Sequence, residues 1–132
     1  MTFSLKIVTP DGLIFDGQAE KLIVRTTTGD VCLLARHINA VFPLGMGQAI
    51  VEADGKRRTA ACIGGMLSVV DGAATLVPTT FEWSDQIDED RAEKSQQRAE
   101  GVLGKKDASD AEIQLAEAKL KRALIRKSVA GR

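Results

Sequence analysis

The sequence changes character at Trp83, and this change limits the folds that the chain can adopt. Before Trp83 lie short β-branched runs broken by glycine, and after it lie stretches of Ala, Glu, Lys, Arg and Gln with no proline. Glycine turns separate strands, whereas proline is excluded from helix interiors. The sequence therefore predicts an α+β protein with a β domain at residues 1–83 and a helical domain at residues 84–132.

The β domain shows the two-residue period of half-buried strands. Phe3, Leu5 and Ile7 alternate with polar residues and lead to a turn signal at Pro10-Asp11-Gly12. Further apolar runs lie at residues 13–15, 22–24, 31–34, 48–52, 60–63, 66–70 and 75–77. Turn signals separate these runs at Asp16-Gly17, Gly29, Asp54-Gly55, Gly64-Gly65 and Asp71-Gly72. We expect about ten strands, paired mostly antiparallel, in a β-sandwich or flattened barrel.

The helical domain is predicted to contain two helices joined by a short connection. Ser84 or Asp85 can cap the first helix and Gly104 ends it, while Ser109 opens the second helix with a capping box. The predicted apolar stripes are Ala92, Ser95, Ala99 and Val102 on the first helix, and Ile113, Ala116, Leu120 and Leu124 on the second. Alanine-rich stripes bury little area, so we expect a helical hairpin that is marginally stable and able to move.

Charge and hydropathy exclude two classes of partner. The 18 Lys and Arg residues equal the 18 Asp and Glu residues, so no basic field is expected to attract nucleic acid. No apolar run reaches the roughly 18 residues of a membrane-spanning helix, and no signal-peptide pattern is present. We expect a soluble protein in a reducing, cytosolic setting.

Residues able to do chemistry are scarce. His37 is the one histidine and has no second metal ligand nearby, which favours a polar loop residue. Gly45-Met46-Gly47 and Gly64-Gly65 are too short for dinucleotide fingerprints, and we interpret them as turn glycines. Cys32 and Cys62 lie in strand-like runs and are expected to pack in the core. The sequence predicts no catalytic residue and no metal site.

Arginines of the helical domain are more informative. Asp88, Arg91 and Arg98 share a face of the first helix, and Arg122 and Arg126 share a face of the second. If the hairpin closes, these guanidinium groups could converge on a polyanion such as a nucleoside triphosphate. The alternative from spacing alone is a solvated face with intrahelical pairs such as Glu117 with Lys121.

Several segments in order resemble one known family. They are Val8-Thr9-Pro10, Ile14-Phe15-Asp16-Gly17, Gly29-Asp30-Val31-Cys32-Leu33-Leu34 with His37, Ile63-Gly64-Gly65-Met66-Leu67-Ser68-Val69 and Ile87-Asp88-Glu89-Asp90-Arg91-Ala92. Together they resemble the epsilon subunit of F-type ATP synthases over nearly the whole chain. This resemblance implies a ten-stranded β-sandwich at the foot of the central stalk, and a non-catalytic subunit that couples proton-driven rotation of the membrane ring to ATP synthesis.

The resemblance also implies partners and a location. The β domain would contact the gamma subunit and the rotor-ring subunits, with Gly29, Asp30 and His37 as candidate contacts. The helices would be a regulatory domain that can extend to the alpha and beta subunits of the catalytic head and inhibit ATP hydrolysis. The subunit would be peripheral, at the cytoplasmic face of the bacterial plasma membrane. Two residues depart from the family pattern, because Arg36 replaces a common glycine and Asn39 a common proline.

Some members of this family bind ATP through an (I/L)DxxRA motif, and no cofactor is otherwise required. The resemblance therefore names ATP as a regulatory ligand. Its candidate contacts are Glu82, Ile87, Asp88, Arg91, Ala92, Arg98, Arg122 and Arg126.

The residues leave two other interpretations of function open. One is a free-standing β-sandwich whose helices dock another protein. The other is a small hydrolase or metal enzyme, which the absence of paired catalytic groups disfavours.

Overall fold

A computed structural model describes all residues, 1–132, and shows a β-sandwich with a helical hairpin packed against it. The strands are β1 (Phe3–Thr9), β2 (Gly12–Ala19), β3 (Lys21–Thr26), β4 (Gly29–Leu33), β5 (Ala40–Pro43), β6 (Met46–Ala53), β7 (Lys56–Val70) and β8 (Ala73–Trp83). A 3₁₀ turn at Ser84–Gln86 leads to α1 (Glu89–Leu103) and α2 (Asp110–Val129). The predicted α+β class is confirmed.

One continuous sheet folds over to form the sandwich. Its strand order is β2-β1-β8-β7-β6-β3-β4, and β5 pairs with β7 beside β6. Pairing is antiparallel throughout except between β1 and β8, which run parallel. A core cluster of 18 buried residues lies between the layers, with Leu5, Ile7 and Leu76 fully enclosed. The expected antiparallel pairing of sequence neighbours is found between β1 and β2, β3 and β4, β6 and β7, and β7 and β8.

Two predicted turns lie inside strands. Asp16-Gly17 is part of β2, and Gly64-Gly65 lies within the 15-residue strand β7. Both Gly64 and Gly65 have positive φ, and a Cβ at Gly65 would lie 2.0 Å from the Val77 carbonyl oxygen. The pair is thus a local kink within a continuous strand, which keeps its register with β8 and pairs with β6 before the kink and with β5 after it. This merges two expected strands into one, so that eight strands are observed.

The interpretation of Gly45-Met46-Gly47 as a turn is also wrong in part. Met46 and Gly47 begin β6, and a Cβ at Gly47 would lie 2.7 Å from the Arg25 Cβ. Close packing against β3 therefore explains the glycine. Strand β5 was not predicted, because its residues carry no alternation that extends beyond four positions.

The helix caps agree with the sequence except at the start of α1. Asp88 caps α1 by accepting a hydrogen bond from the Arg91 backbone N–H at 3.0 Å, whereas Ser84 and Asp85 form the preceding 3₁₀ turn. Gly104 ends α1 as predicted, and the Ser109 hydroxyl caps α2 by accepting from the Glu112 N–H.

The stripe on α2 differs from the expected one at its end. Ala116 is buried as predicted, but Leu124 is exposed, and Ala123 and Val129 are buried instead. The Glu117 to Lys121 pair of the alternative interpretation is absent, and Lys127 of α2 forms an ion pair with Glu93 of α1. The neighbouring ammonium and its hydrogen bond lower the pKa of Glu93.

The hairpin covers the outer face of β6, β7 and β8. Ile50, Ala61 and Ile63 are buried on this face, outside the sandwich core.

A tail clasp, formed by Gly131 and Arg132, follows α2. The Arg132 carbonyl oxygen accepts hydrogen bonds from the hydroxyls of Ser84 (2.7 Å) and Thr59 (3.0 Å). The Gly131 N–H donates to the Ser84 carbonyl oxygen. The Arg132 guanidinium donates to the Gln48 side chain. The clasp thus joins the end of the hairpin to its beginning and to the sheet.

The cysteine interpretation holds for one residue of two. Cys62 is buried, and burial raises the pKa of its thiol to about 12. Cys32 is exposed, because β4 is an edge strand whose alternate side chains face solvent. No helix is both long and apolar enough to span a membrane.

Candidate functional site

A cavity of about 370 Å³ opens between the two helices, and we call it the helix pocket. Ser95, Arg98 and Ala99 line it from α1, Ala116 and Arg122 from α2, and Thr80 from β8. The small alanine and serine side chains leave the space, because they keep the helices close without filling the groove between them. The volume is in the range of small-molecule sites, roughly 300 to 1,000 Å³.

A second cavity of about 410 Å³ lies where α1 leaves the sheet, and we call it the sheet pocket. Its walls come from the turn after β1, from β8, from the 3₁₀ turn and from the first turns of α1. Among its lining residues are Asp11, Glu82, Asp88, Arg91 and Ala92.

The two pockets form one cleft. Thr80, Ser95 and Arg126 line both of them, so the pockets meet at these side chains. Thr80 and Glu82 alternate with Phe81 and Trp83 along β8. Because Phe81 and Trp83 belong to the sandwich core, Thr80 and Glu82 face the hairpin.

Charge is distributed unevenly along the cleft. Outside the shared residues, the helix pocket carries Arg98, Lys119 and Arg122 against Glu112, whereas the sheet pocket carries Asp11, Glu82 and Asp88 against Arg91. A ligand with an anionic end and a hydroxyl-rich neutral end therefore matches this cleft. Its anionic end would lie between the helices, and its neutral end would lie beside the carboxylates.

Arg126 is the central side chain of the cleft. Its Nε donates to Glu82 Oε1 at 2.6 Å, and both side chains are partly buried. This contact holds α2 against β8, and it leaves the terminal Nη groups of the guanidinium free to meet an anion. The alternative interpretation from spacing, a solvated face with intrahelical pairs, therefore does not describe Arg126.

The structure brings together seven of the eight residues that the sequence assigned to nucleotide. Glu82, Asp88, Arg91, Ala92, Arg98, Arg122 and Arg126 all line the cleft. Ile87 does not line either pocket; it lies in extended conformation between the 3₁₀ turn and α1. Asp88 also has a structural role, because its carboxylate caps α1. Whether these residues contact a nucleotide stays a prediction.

A buried hydroxyl supports the fit of a polar ligand. Thr80 Oγ1 is enclosed and has no hydrogen-bond partner among the protein atoms. Buried polar atoms of native proteins are nearly always hydrogen-bonded, so an orphaned hydroxyl at the junction of two pockets indicates a partner that is not protein. The sequence carried no signal for Thr80, since a threonine inside a strand is ordinary there.

The candidate partner-contact residues do not form one cluster. Gly29 and Asp30 begin β4, where Asp30 pairs with Arg25 at 2.6 Å. His37 lies past the other end of β4, roughly 13 Å along the strand or further. Its Nδ1 lies 2.8 Å from the Ile38 carbonyl oxygen, and its ring meets Phe42 edge-on.

The departures from the family pattern have visible consequences in the loop after β4. Arg36 has a φ of 65°, a left-handed conformation that glycine adopts more easily. Asn39 Oδ1 accepts a hydrogen bond from the Asp71 N–H at 2.8 Å, which ties this loop to the β7–β8 turn.

Comparisons with known proteins agree across the whole chain. Residues 2–84 match the family described as ATP synthase, Delta/Epsilon chain, beta-sandwich domain, and residues 85–131 match ATP synthase, Delta/Epsilon chain, long alpha-helix domain. The ATP synthase epsilon chain of Ruminococcus albus is 41% identical over 131 residues, covering 98% of this chain and 97% of that one. The ATP synthase epsilon chain of Bacillus velezensis is 38% identical over 130 residues, covering 98% of each.

Solved structures show the same fold. A chain of the Euglena gracilis mitochondrial ATP synthase is similar with a TM-score of 0.84 at 22% identity, covering 96% of this chain and 80% of that chain. A chain of the central stalk and rotor ring of the Tetrahymena thermophila mitochondrial ATP synthase is similar with a TM-score of 0.63 at 10% identity, covering 95% and 93%.

Proposed function

Because the chain belongs to the family of ATP synthase epsilon chains, we propose that it is a non-catalytic subunit of the central stalk. In this role it couples proton-driven rotation of the membrane ring to ATP synthesis, at the cytoplasmic face of the bacterial plasma membrane. The observation that carries the proposal is the full-length similarity to epsilon chains, over both the sandwich and the hairpin. It favours this role over a free-standing binding module or a small hydrolase.

An apolar sheet face supports a protein partner on the β domain. Register pairs Val41 with Ser68 and Met66 with Val77, which places Val41, Met66, Val70 and Val77 on the outer side of β5, β7 and β8. Their exposed fractions are 61%, 45%, 56% and 45%. Contiguous exposed apolar side chains mark protein interfaces. The gamma subunit packs on this face, and the loop that contains His37, beside its edge, lies toward the rotor ring.

Copurification with the gamma subunit tests this assignment. Val77→Asp places a charge in the centre of the contact, and burying it costs roughly 3 kcal/mol or more, a loss of at least about 100-fold in affinity. Leu13→Asp is the matched control, because Leu13 is 59% exposed on β2. The assignment is wrong if Val77→Asp copurifies as well as Leu13→Asp does.

The cleft supports a second part of the proposal, which is that ATP is a regulatory ligand. The triphosphate lies in the helix pocket near Arg98 and Arg122, and the nucleoside lies in the sheet pocket near Asp88 and Arg91. Both helices and β8 line the cleft, so the ligand can bind only when the hairpin is closed. ATP therefore stabilises the closed state by mass action.

Regulation follows from a second, open state of the hairpin. When the helices leave the sheet they extend to the alpha and beta subunits of the catalytic head and inhibit ATP hydrolysis. The small alanine-rich contact between α1 and α2 suits such a change, because little apolar area separates the two states. High ATP keeps the hairpin closed, and low ATP releases it.

Calorimetric titration of the isolated protein with ATP tests the ligand. Arg122→Met removes a guanidinium that has no ion pair in the structure, so it is expected to weaken binding by about 10- to 100-fold. Arg36→Met, outside the cleft, is the matched control. Absence of saturable binding up to millimolar ATP would leave the coupling role standing and remove ATP as the regulator.

A further inference from the structure

Thr80 stands out in the cleft because its hydroxyl is buried without a protein partner. Its neighbour on the same face of β8, Glu82, is already bonded to Arg126. Leaving a buried hydroxyl unpaired destabilises the folded state. A threonine held in such a position is therefore explained by a hydrogen-bond partner that enters the cleft.

The Gly64-Gly65 kink in β7 lies opposite the residues of β8 that precede this hydroxyl. Pairing between β7 and β8 passes from Gly65 with Pro78 to Ile63 with Thr80, and Gly64 lies between them against the Thr79 hydroxyl. The alternation of β8 shifts beside this kink: Leu76 faces the core before it and Phe81 faces the core after it, so that Thr80 faces the hairpin. Without that shift, the side chain would face the sandwich core.

Thr80 also lies where the two pockets meet. It lines both of them, together with Ser95 of α1 and Arg126 of α2. A ligand that has its phosphates between the helices and its nucleoside against the sheet must pass this junction. The group at the junction is then the phosphate nearest the nucleoside, and the free Nη groups of Arg126 supply a positive charge beside it.

We propose that Thr80 is a ligand-binding residue whose hydroxyl donates a hydrogen bond to the phosphate nearest the nucleoside. This inference rests on the proposed binding of ATP in the cleft. It adds a contact that the (I/L)DxxRA motif and the arginines do not include. It also predicts a specific pattern, because the phosphate nearest the nucleoside is common to ATP and ADP.

Thr80→Val tests the contact, since valine keeps the shape of the side chain and replaces the hydroxyl with a methyl group. Calorimetric titrations with ATP and with ADP are expected to show the same loss of affinity, about 10-fold or more. Thr80→Ser keeps the hydroxyl and is expected to bind like the unchanged protein. Thr75→Val, on the part of β8 away from the hairpin, is the matched control.

Stability without ligand gives an independent readout. If the hydroxyl has no partner in the free protein, Thr80→Val is expected to unfold at the same temperature as the unchanged protein or at a higher one. A lower unfolding temperature would show that the hydroxyl is already bonded, which overturns the proposal. Equal nucleotide affinity in Thr80→Val overturns it as well, while leaving ATP binding in place.

The remaining outcomes are also decisive. A loss of affinity for ATP but not for ADP overturns the placement at the phosphate nearest the nucleoside. If the unchanged protein binds neither nucleotide up to millimolar concentration, the proposed ligand fails, and the Thr80 contact fails with it. The titration of the unchanged protein therefore separates failure of the ligand from failure of the contact.

Discussion

Weakening the tail clasp is expected to open the hairpin without unfolding the sandwich. Thr59→Val and Ser84→Ala together remove both hydroxyls that donate to the Arg132 carbonyl oxygen, at 3.0 and 2.7 Å. The backbone bond from Gly131 to Ser84 and the contact between Arg132 and Gln48 remain. The clasp is therefore weakened and not abolished.

The size of the effect follows from the two lost bonds. Each hydrogen bond contributes about 0.5 to 1.5 kcal/mol, but both hydroxyls share one acceptor, so the pair is expected to contribute about 1 to 2 kcal/mol. That difference raises the open fraction of the hairpin by roughly 5- to 30-fold. In the assembled enzyme, the same shift is expected to increase inhibition of ATP hydrolysis at low ATP.

Hydrogen–deuterium exchange measures this change directly. Once the hairpin leaves the sheet, α2 loses the packing that supports a marginally stable helix, so its amides exchange from the open state and their exchange rates are expected to rise by the same 5- to 30-fold factor. Amides of β1 and of the central part of β7 are expected to stay protected. Ser128→Ala is the matched control, because its hydroxyl bonds only to the Ile125 carbonyl oxygen within α2. Exchange in α2 raised less than about twofold would refute the reasoning that the clasp holds the hairpin closed.

Two further predictions concern the sandwich. Cys32 is expected to react with a thiol reagent at neutral pH, whereas Cys62 is expected to react only after denaturation; two fast-reacting thiols in the native protein would contradict this. Because burial raises the pKa of Cys62 to about 12, the free energy of unfolding is expected to fall as pH rises from about 9 toward 12. Gly65→Ala is expected to lower the free energy of unfolding by more than about 4 kcal/mol, because its Cβ would meet the Val77 carbonyl oxygen at 2.0 Å. Gly72→Ala has a positive φ but open space and is expected to cost about 1 kcal/mol, so equal effects of the two changes in urea denaturation would count against the steric argument.

Local patterns predicted the elements well. Alternation over Phe3 to Ile7 and the turn at Asp71-Gly72 correspond to observed strands and a hairpin, and Gly104 and Ser109 are observed helix caps. These features depend on residues that are close in sequence, so a single stretch of chain contains the information.

Patterns failed where a distant strand or helix decided the conformation. Gly64-Gly65 has the composition of a turn, but it lies within the continuous strand β7, packed against the Val77 carbonyl of β8. Leu124 fits the helical stripe, yet Ala123 and Val129 face the sheet. Register and the angle at which a hairpin docks depend on packing between elements, which periodicity within one element does not contain.

By itself, the sequence determined that a β domain is followed by two alanine-rich helices, and that arginines on those helices could meet a polyanion. Only the tertiary structure decided that Glu82, Arg91, Arg98, Arg122 and Arg126 line one cleft and that the orphaned hydroxyl of Thr80 lies at its centre. The physical reason is that spacing along one helix defines a face, whereas a site built from two helices and a strand depends on contacts between residues more than 40 positions apart, such as the Arg126 to Glu82 ion pair.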